Sequence, residues 1–371
     1  MDYTALYYKK VRLELLKLFR ILIIPFILIG CVPGSITVDG NIPPQQPQNV
    51  SRFDNAEIID VYFSNPEKRI DGEYRNGPDK FLVQAIAEAR ISVDIAVYSI
   101  NLWNIGDALL DAYHRGLQVR IVMDSDNMTD DVPQELKAEG IKIIGDRREG
   151  LMHNKFAILD RQDVWTGSMN FTIGSLYYDN NNLIHIHSTD MAENFLTEFD
   201  EMFLYDMFGR DIISDTPHPQ VLVGDTWIEV YFSPDDGVAK HIVNLIDNAN
   251  ESIYFMAYSF TSDDIGAAIV ERKQAGIFVK GVMDEGQVKS NTGTEFDSFL
   301  QAGITVLKDG NSGLMHNKVI IIDRKIVITG SYNFSRNAET VNDENVVVIH
   351  NSEISEKYLQ EFEKISTEAE K

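Results

Sequence analysis

From residue 58 onward the chain alternates between two hydrophobic periods. Apolar runs rich in Val, Ile and Phe stand at 58–63, 92–98, 119–124 and 155–159. Between them lie an amphipathic stretch at 79–89 and another that starts near Asn104 and ends at Gly116. Near-continuous apolar runs predict strands covered on both faces, and spacing of three to four predicts helices with one buried stripe. The same order returns at 227–232, 239–249, 252–258, Asp263 to Gly276, 279–284 and 318–322. In each half the last of these strands runs into a polar turn, Asp160-Arg161-Gln162-Asp163 or Asp323-Arg324-Lys325, and then into another apolar run, which predicts a hairpin. A helical pattern closes each half. The expectation is an α/β protein of two similar domains, each a mixed sheet flanked by helices, related by a pseudo-twofold axis.

The recurrence extends to individual residues. Ile59-Asp60-Val61-Tyr62-Phe63-Ser64 returns as Ile228-Glu229-Val230-Tyr231-Phe232-Ser233, and Val97-Tyr98-Ser99 as Ala257-Tyr258-Ser259. Gly116, Met123 and Asp124 return as Gly276, Met283 and Asp284. The offset between copies changes near Asp71-Gly72-Glu73, where the first copy carries extra residues, as a surface loop allows. An internal repeat of this length sets the architecture.

One motif within the repeat carries chemistry. Leu151-Met152-His153-Asn154-Lys155 is followed by Asp160, and Leu314-Met315-His316-Asn317-Lys318 by Asp323. Each is trailed at the same distance by Gly-Ser-x-Asn: Ser168 and Asn170, then Ser331 and Asn333. Residues i and i+2 of a strand share a face, so each histidine shares one with its lysine, and each serine with its asparagine. Asp160 and Asp323 fall on the opposite face, where a carboxylate closes the turn or pairs structurally.

A duplicated H-x-K-x4-D with G-S-x-N resembles the phospholipase D superfamily, over roughly 57–365. The stretch from Ala338 to Asn345 is similar to that family's small bacterial nuclease branch. The resemblance implies that both motifs meet in one active site at the domain interface and that no metal or cofactor is needed. It further implies that one imidazole attacks a phosphodiester phosphorus, forming a phosphohistidine, while the other protonates the leaving alkoxide and then activates water or an alcohol. By that analogy His153 is the nucleophile and His316 the acid. Lys155, Lys318, Asn170 and Asn333 would hold the phosphoryl oxygens. Ser168 and Ser331 serve as further donors or turn-formers. Glu344, on the strand after the second motif, can orient an imidazole and favour its charged form. The first copy departs from the second here, with Asn181 opposite Glu344 and Asp179 nearby.

The first thirty residues change the picture again. Lys9, Lys10, Arg12, Lys17 and Arg20 precede an uncharged run at 21–30, then Cys31, the only cysteine. A basic segment before a short apolar one reads as an export signal. Leu28-Ile29-Gly30-Cys31 resembles the lipobox of bacterial lipoproteins, which implies lipidation at Cys31 and an exported, membrane-anchored protein on the extracytoplasmic face. The expected division is a lipoprotein signal peptide at 1–30, a proline- and glutamine-rich flexible linker at 31–56, phospholipase D-like domains at 57–209 and 227–371, and a linker at 210–226.

The formal net charge is −24, which disfavours a broad nucleic-acid surface held by phosphate neutralisation. It leaves room for a locally basic cleft that takes one phosphate. The first expectation is therefore a phosphodiesterase that hydrolyses or transfers phosphodiesters, phospholipids above all. A metal-independent endonuclease on DNA or RNA and a non-catalytic phosphate-binding surface lipoprotein are the alternatives. No obligatory protein partner is expected, since one chain carries both motifs. His185-Ile186-His187 has ligand-like spacing but sits in an apolar strand, and Tyr177-Tyr178 flanks the motif loop as a candidate substrate contact.

Overall fold

A computed structural model describes residues 59–66, 74, 76–148 and 150–371. The leader at 1–30, Cys31 and nearly all of the segment up to β1 lie outside the described residues. Among those described, no helix is long and apolar enough to cross a membrane.

Each half is built on one mixed sheet. The first holds β1 (Ile59–Phe63), β2 (Ser92–Val97), β3 (Gln118–Met123), β4 (Lys142–Gly145), β5 (Lys155–Leu159), β6 (Asp163–Gly167) and β7 (Asn182–His187), in the order β1-β7-β6-β5-β2-β3-β4. The second holds β8 (Gln220–Val223), β9 (Thr226–Ser233), β10 (Ser252–Ala257), β11 (Phe278–Met283), β12 (Thr305–Lys308), β13 (Lys318–Ile322), β14 (Ile326–Gly330) and β15 (Glu344–His350). Its order, β12-β11-β10-β13-β14-β15-β9-β8, is the same topology with one strand added at the edge. That strand, β8, lies in the segment read above as the linker at 210–226. It pairs antiparallel with β9 and buries Val221 and Val223, so this connection is partly sheet.

In both halves β2–β3–β4 or β10–β11–β12 run parallel through helical crossovers, while the motif strand returns antiparallel. The outer face of the first sheet is covered by the helices Asp79–Glu88, Trp103–His114 and Asp131–Ala138. Val238–Asp247, Asp263–Gln274 and Phe296–Gln301 cover the second. The inner faces share a third core. There the helices Thr189–Tyr205 and Ser352–Ala369 bring Phe195, Phe199, Tyr358 and Phe362 against Phe156, Ile158, Phe232 and Ile321. This shared apolar layer, rather than a hinge, joins the halves.

The motif aspartates stand at hairpin turns. Asp160 and Arg161 have φ of 52° and 59°, and Asp323 and Arg324 have 52° and 53°. Two successive positive φ values match the right-handed twist of the flanking strands. The Asp160 carboxylate accepts the backbone N–H groups of Arg90, Ile91 and Ser92, and Asp323 those of Asn250, Glu251 and Ser252. Each therefore ties its turn to the start of β2 or β10, the structural role expected for it.

Candidate active site

Both motif strands enter the interface through backbone bonds to the other half. His153 N donates to Asp343 O at 3.0 Å and Asp343 N to Leu151 O at 2.9 Å. Their counterparts are His316 N to Asn180 O at 2.9 Å and Asn180 N to Leu314 O at 2.8 Å. A Cβ on Gly150 would lie 2.2 Å from Val341 O, and one on Gly313 would lie 2.1 Å from Tyr178 O, so only glycine permits this approach. Behind the motif, the asparagine between histidine and lysine is stapled across the interface. Asn345 Nδ2 donates to Asn154 Oδ1 and Asn182 Nδ2 to Asn317 Oδ1, both at 2.8 Å. The donor of each staple, Asn345 or Asn182, directly follows the residue that orients a histidine.

The two histidines are held alike but not identically. His153 Nδ1 lies 2.8 Å from Glu344 Oε2. His316 Nδ1 lies 2.9 Å from Asn181 Oδ1 and 3.1 Å from Ser168 O. Both rings are over nine-tenths buried, and neither Nε2 has a partner among the described residues. The acceptors around each Nδ1 place the proton there, which leaves Nε2 as the reactive nitrogen. Glu344 is fully buried, and Asn342 Nδ2 donates to its other oxygen.

Lys155 and Lys318 are each 1 % exposed, and each Nζ donates to the carbonyl of its own histidine at 2.7 Å. Burial lowers the Lys155 ammonium to about 7, against the pull of Glu344 and Asp124. Burial and repulsion from Lys155 hold Lys318 well below the ordinary lysine range, against Glu344, Asp179 and Asp284. Burial also lowers His153, though Glu344 opposes it; His316 falls well below the usual value through burial and the nearby Lys318, Lys155 and His153. Four groups able to carry positive charge thus crowd one cleft with a single carboxylate hydrogen-bonded to them.

Ser168 and Ser331 are fully buried. Ser168 Oγ donates to Asn181 Oδ1 at 2.8 Å and accepts from Asn182 N at 3.1 Å; Ser331 Oγ accepts from Asn345 N at 3.0 Å. Both hydroxyls frame the orienting strand. Asn170 and Asn333 are half-buried, and each carries a buried Oδ1 with no partner among the described residues. His185 has carboxylates at both ring nitrogens, Asp60 at 3.4 Å and Asp163 at 2.8 Å, and His187 shares Asp163 at 2.7 Å. Tyr177 donates its hydroxyl to Asp79, and Tyr178 meets the hydroxyl of Tyr74 at 3.0 Å. Nothing in the sequence assigns a role to Asn182, Asn180, Gly150 or Gly313, and Asp343 and Asn345 enter only as part of the nuclease-like stretch from Ala338 to Asn345. Their signal was identical spacing in both copies around the motif, without a chemical type that pointed to a role.

The family described as "Cardiolipin synthase, PLD-like domain" matches residues 82–203 and 242–366, once in each half. A phospholipase D of Rickettsia bellii is 37% identical over 169 residues, 43% of this chain and 84% of that protein. A mitochondrial cardiolipin hydrolase of Chlamydomonas reinhardtii is 32% identical over 126 residues, 34% of this chain and 56% of its own length. Among solved structures, phosphatidylserine synthase of Haemophilus influenzae superposes with a TM-score of 0.59 over 78% of this chain and 83% of that one. At 12% identity this shows the shared fold. The chain belongs to the phospholipase D superfamily and is a phospholipase D-like phosphodiesterase.

Proposed function

We propose that this protein cleaves phospholipid phosphodiesters through a phosphohistidine on His153. The observation that carries this is the pair of H-x-K motifs facing each other across the interface, each imidazole anchored at Nδ1 with Nε2 unpartnered. His153 Nε2 forms a bond to phosphorus as the P–O ester bond breaks; His316, which takes up a proton from solvent at Nε2 once the anionic substrate is bound, passes that proton to the departing alkoxide. Water then loses a proton to His316 Nε2 and attacks phosphorus, which breaks the P–N bond and restores both rings. Attack from His153 leaves positive charge on its ring, and Glu344 is the counter-charge for it. His316 faces neutral acceptors and neighbouring cations, so it gives up its proton readily. Lys155, Lys318, Asn170 and Asn333 donate to the phosphoryl oxygens. A negatively charged phosphodiester favours the cationic form of both lysines.

The lipid substrate is supported by the relatives called phospholipase D and cardiolipin hydrolase, and by the acidic composition. The resemblance of the second-copy tail to the nuclease branch favours a second reading, nucleic-acid cleavage. The test offers the purified protein phosphatidylcholine vesicles and single-stranded DNA, each with chelator. Phosphatidate release that disappears in His153→Ala supports the lipid reading; turnover of DNA alone replaces it with the nuclease. Within the proposal, Cys31 is lipidated and holds the enzyme on the extracytoplasmic face of a membrane. Cys31→Ser is then expected to abolish labelled-palmitate incorporation in cells, and retained label would refute the anchor.

A further inference from the structure

Two residues beside the motifs recur in both halves, and the chemistry above does not use them. The backbone N–H of Tyr98 donates to Asn154 O at 3.1 Å, and that of Tyr258 to Asn317 O at 2.9 Å. Each bond extends the pairing of β2 or β10 with its motif strand by one step. The ring of Tyr98 meets that of His153 edge-on, with centroids 5.4 Å apart, and Lys155 Nζ lies 5.5 Å from the same ring. In the second half Tyr258 meets His316 edge-on at 4.7 Å, and Lys318 Nζ lies 4.8 Å from it. Both rings are half-buried. An ammonium within about 6 Å of an aromatic centroid is attracted to the ring face, more strongly where water is excluded.

We propose that Tyr98 and Tyr258 are positioning residues whose rings favour the cationic form of Lys155 and Lys318, aim them at the phosphate and limit the swing of His153 and His316. The inference deepens the functional reading above and rests on it. The need is physical. An ammonium at this depth loses most of its hydration, and the histidine carbonyl satisfies one of its three donors. A π face supplies negative potential without a second carboxylate, which would repel the substrate. Around Lys155 the other charged groups are Glu344 and Asp124, and around Lys318 they are Lys155, Glu344, Asp179 and Asp284. None of the carboxylates among these is hydrogen-bonded to either lysine Nζ. The hydroxyls differ between copies. Gln287 Nε2 donates to Tyr258 Oη at 3.1 Å, while Tyr98 Oη has no partner among the described residues. A role shared by both copies therefore belongs to the rings.

The test compares Tyr98→Phe with Tyr98→Leu, and Tyr258→Phe with Tyr258→Leu, in the full chain. Two readouts are taken across pH: calorimetric binding of inorganic phosphate, and kcat and KM on bis(p-nitrophenyl) phosphate. The phenylalanine variants are expected within about threefold of the native protein. The leucine variants are expected to bind phosphate about tenfold more weakly, chiefly as a KM effect, with the alkaline fall in binding moved to lower pH. Phenylalanines of increasing fluorination at position 98 keep the ring's shape while weakening its face, so they guard against misfolding of the leucine variant. A graded loss of phosphate affinity along that series supports the proposal. Equal affinity along the series, or a leucine loss with an unmoved alkaline limb, overturns it. A chain that binds phosphate in this ring-dependent way yet turns over no diester would uphold the tyrosine role and sink the functional reading.

Discussion

His153 Nδ1 and the Glu344 carboxylate meet at 2.8 Å across the interface, although 191 residues separate them in the chain. The equivalent contact, His316 to Asn181, swaps the carboxylate for an amide. Glu344→Gln is expected to lower kcat by about a hundredfold or more, because it removes the counter-charge to the ring that attacks. Since Glu344 raises the His153 pKa, its loss moves the acidic limb of kcat/KM to lower pH. Asn181→Ala, by contrast, should cost about tenfold and leave that limb in place. A pH–rate series on both variants checks this, and equal displacement of the limb in both would refute it.

The lysines predict the opposite limb. A group with its pKa near 7 is cationic below that value and neutral above it, so phosphate affinity in the free enzyme falls as pH rises past about 7, where Lys155 titrates. An ordinary lysine would hold its charge to about 10. Calorimetric titration of sulfate, whose double charge does not change from pH 6 to 9, reads this directly, and constant affinity across that range would show that Lys155 stays fully charged.

Lys155→Met is expected to abolish turnover and yet stabilise the fold by about 1–3 kcal/mol. The ammonium is buried with no carboxylate hydrogen-bonded to it, and a thioether of similar length loses no hydration there. Thermal unfolding at pH 6, where the native lysine is charged, would show the gain, and a lower midpoint would count against it.

Asp160→Ala and Asp323→Ala should each destabilise by about 1–2 kcal/mol, since three backbone N–H groups lose their acceptor. The Asp323 carboxyl is held below its ordinary value by those donors. Its contribution is therefore present above the ordinary carboxylate pKa and disappears as pH falls through the lowered one. Denaturation of Asp323→Ala against the native chain at pH 7 and pH 2 should show the difference closing. Turnover is expected within a few-fold of native.

Much of this was legible in the sequence because duplication doubled every signal. The H-x-K pairs, the hairpins and the break in symmetry at Glu344 against Asn181 stand at fixed register in both copies. Which histidine Glu344 would serve was not legible, because the pairing crosses between halves. A strand pattern says which residues share a face and nothing about the sheet opposite. β8 was not legible because four residues ending at Val223, just before Gly224, look like a connection until β9 lies beside them. The amide staples were invisible for a related reason. Asn154, just before β5, and Asn182, at the start of β7, are ordinary polar residues, and only burial against Asn345 and Asn317 gives them a purpose.

The break in symmetry has a consequence for how such a site can change over time. In an assembly of two identical copies, a single codon writes both members of every equivalent pair, so a substitution that helps one histidine is imposed on the other. Here the shared core of the two sheets holds both copies in one chain, and each position is inherited separately. Glu344 and Asn181 could therefore part ways, and so could the tied hydroxyl of Tyr258 and the free one of Tyr98. Two copies in one chain are two positions that selection can tune one at a time.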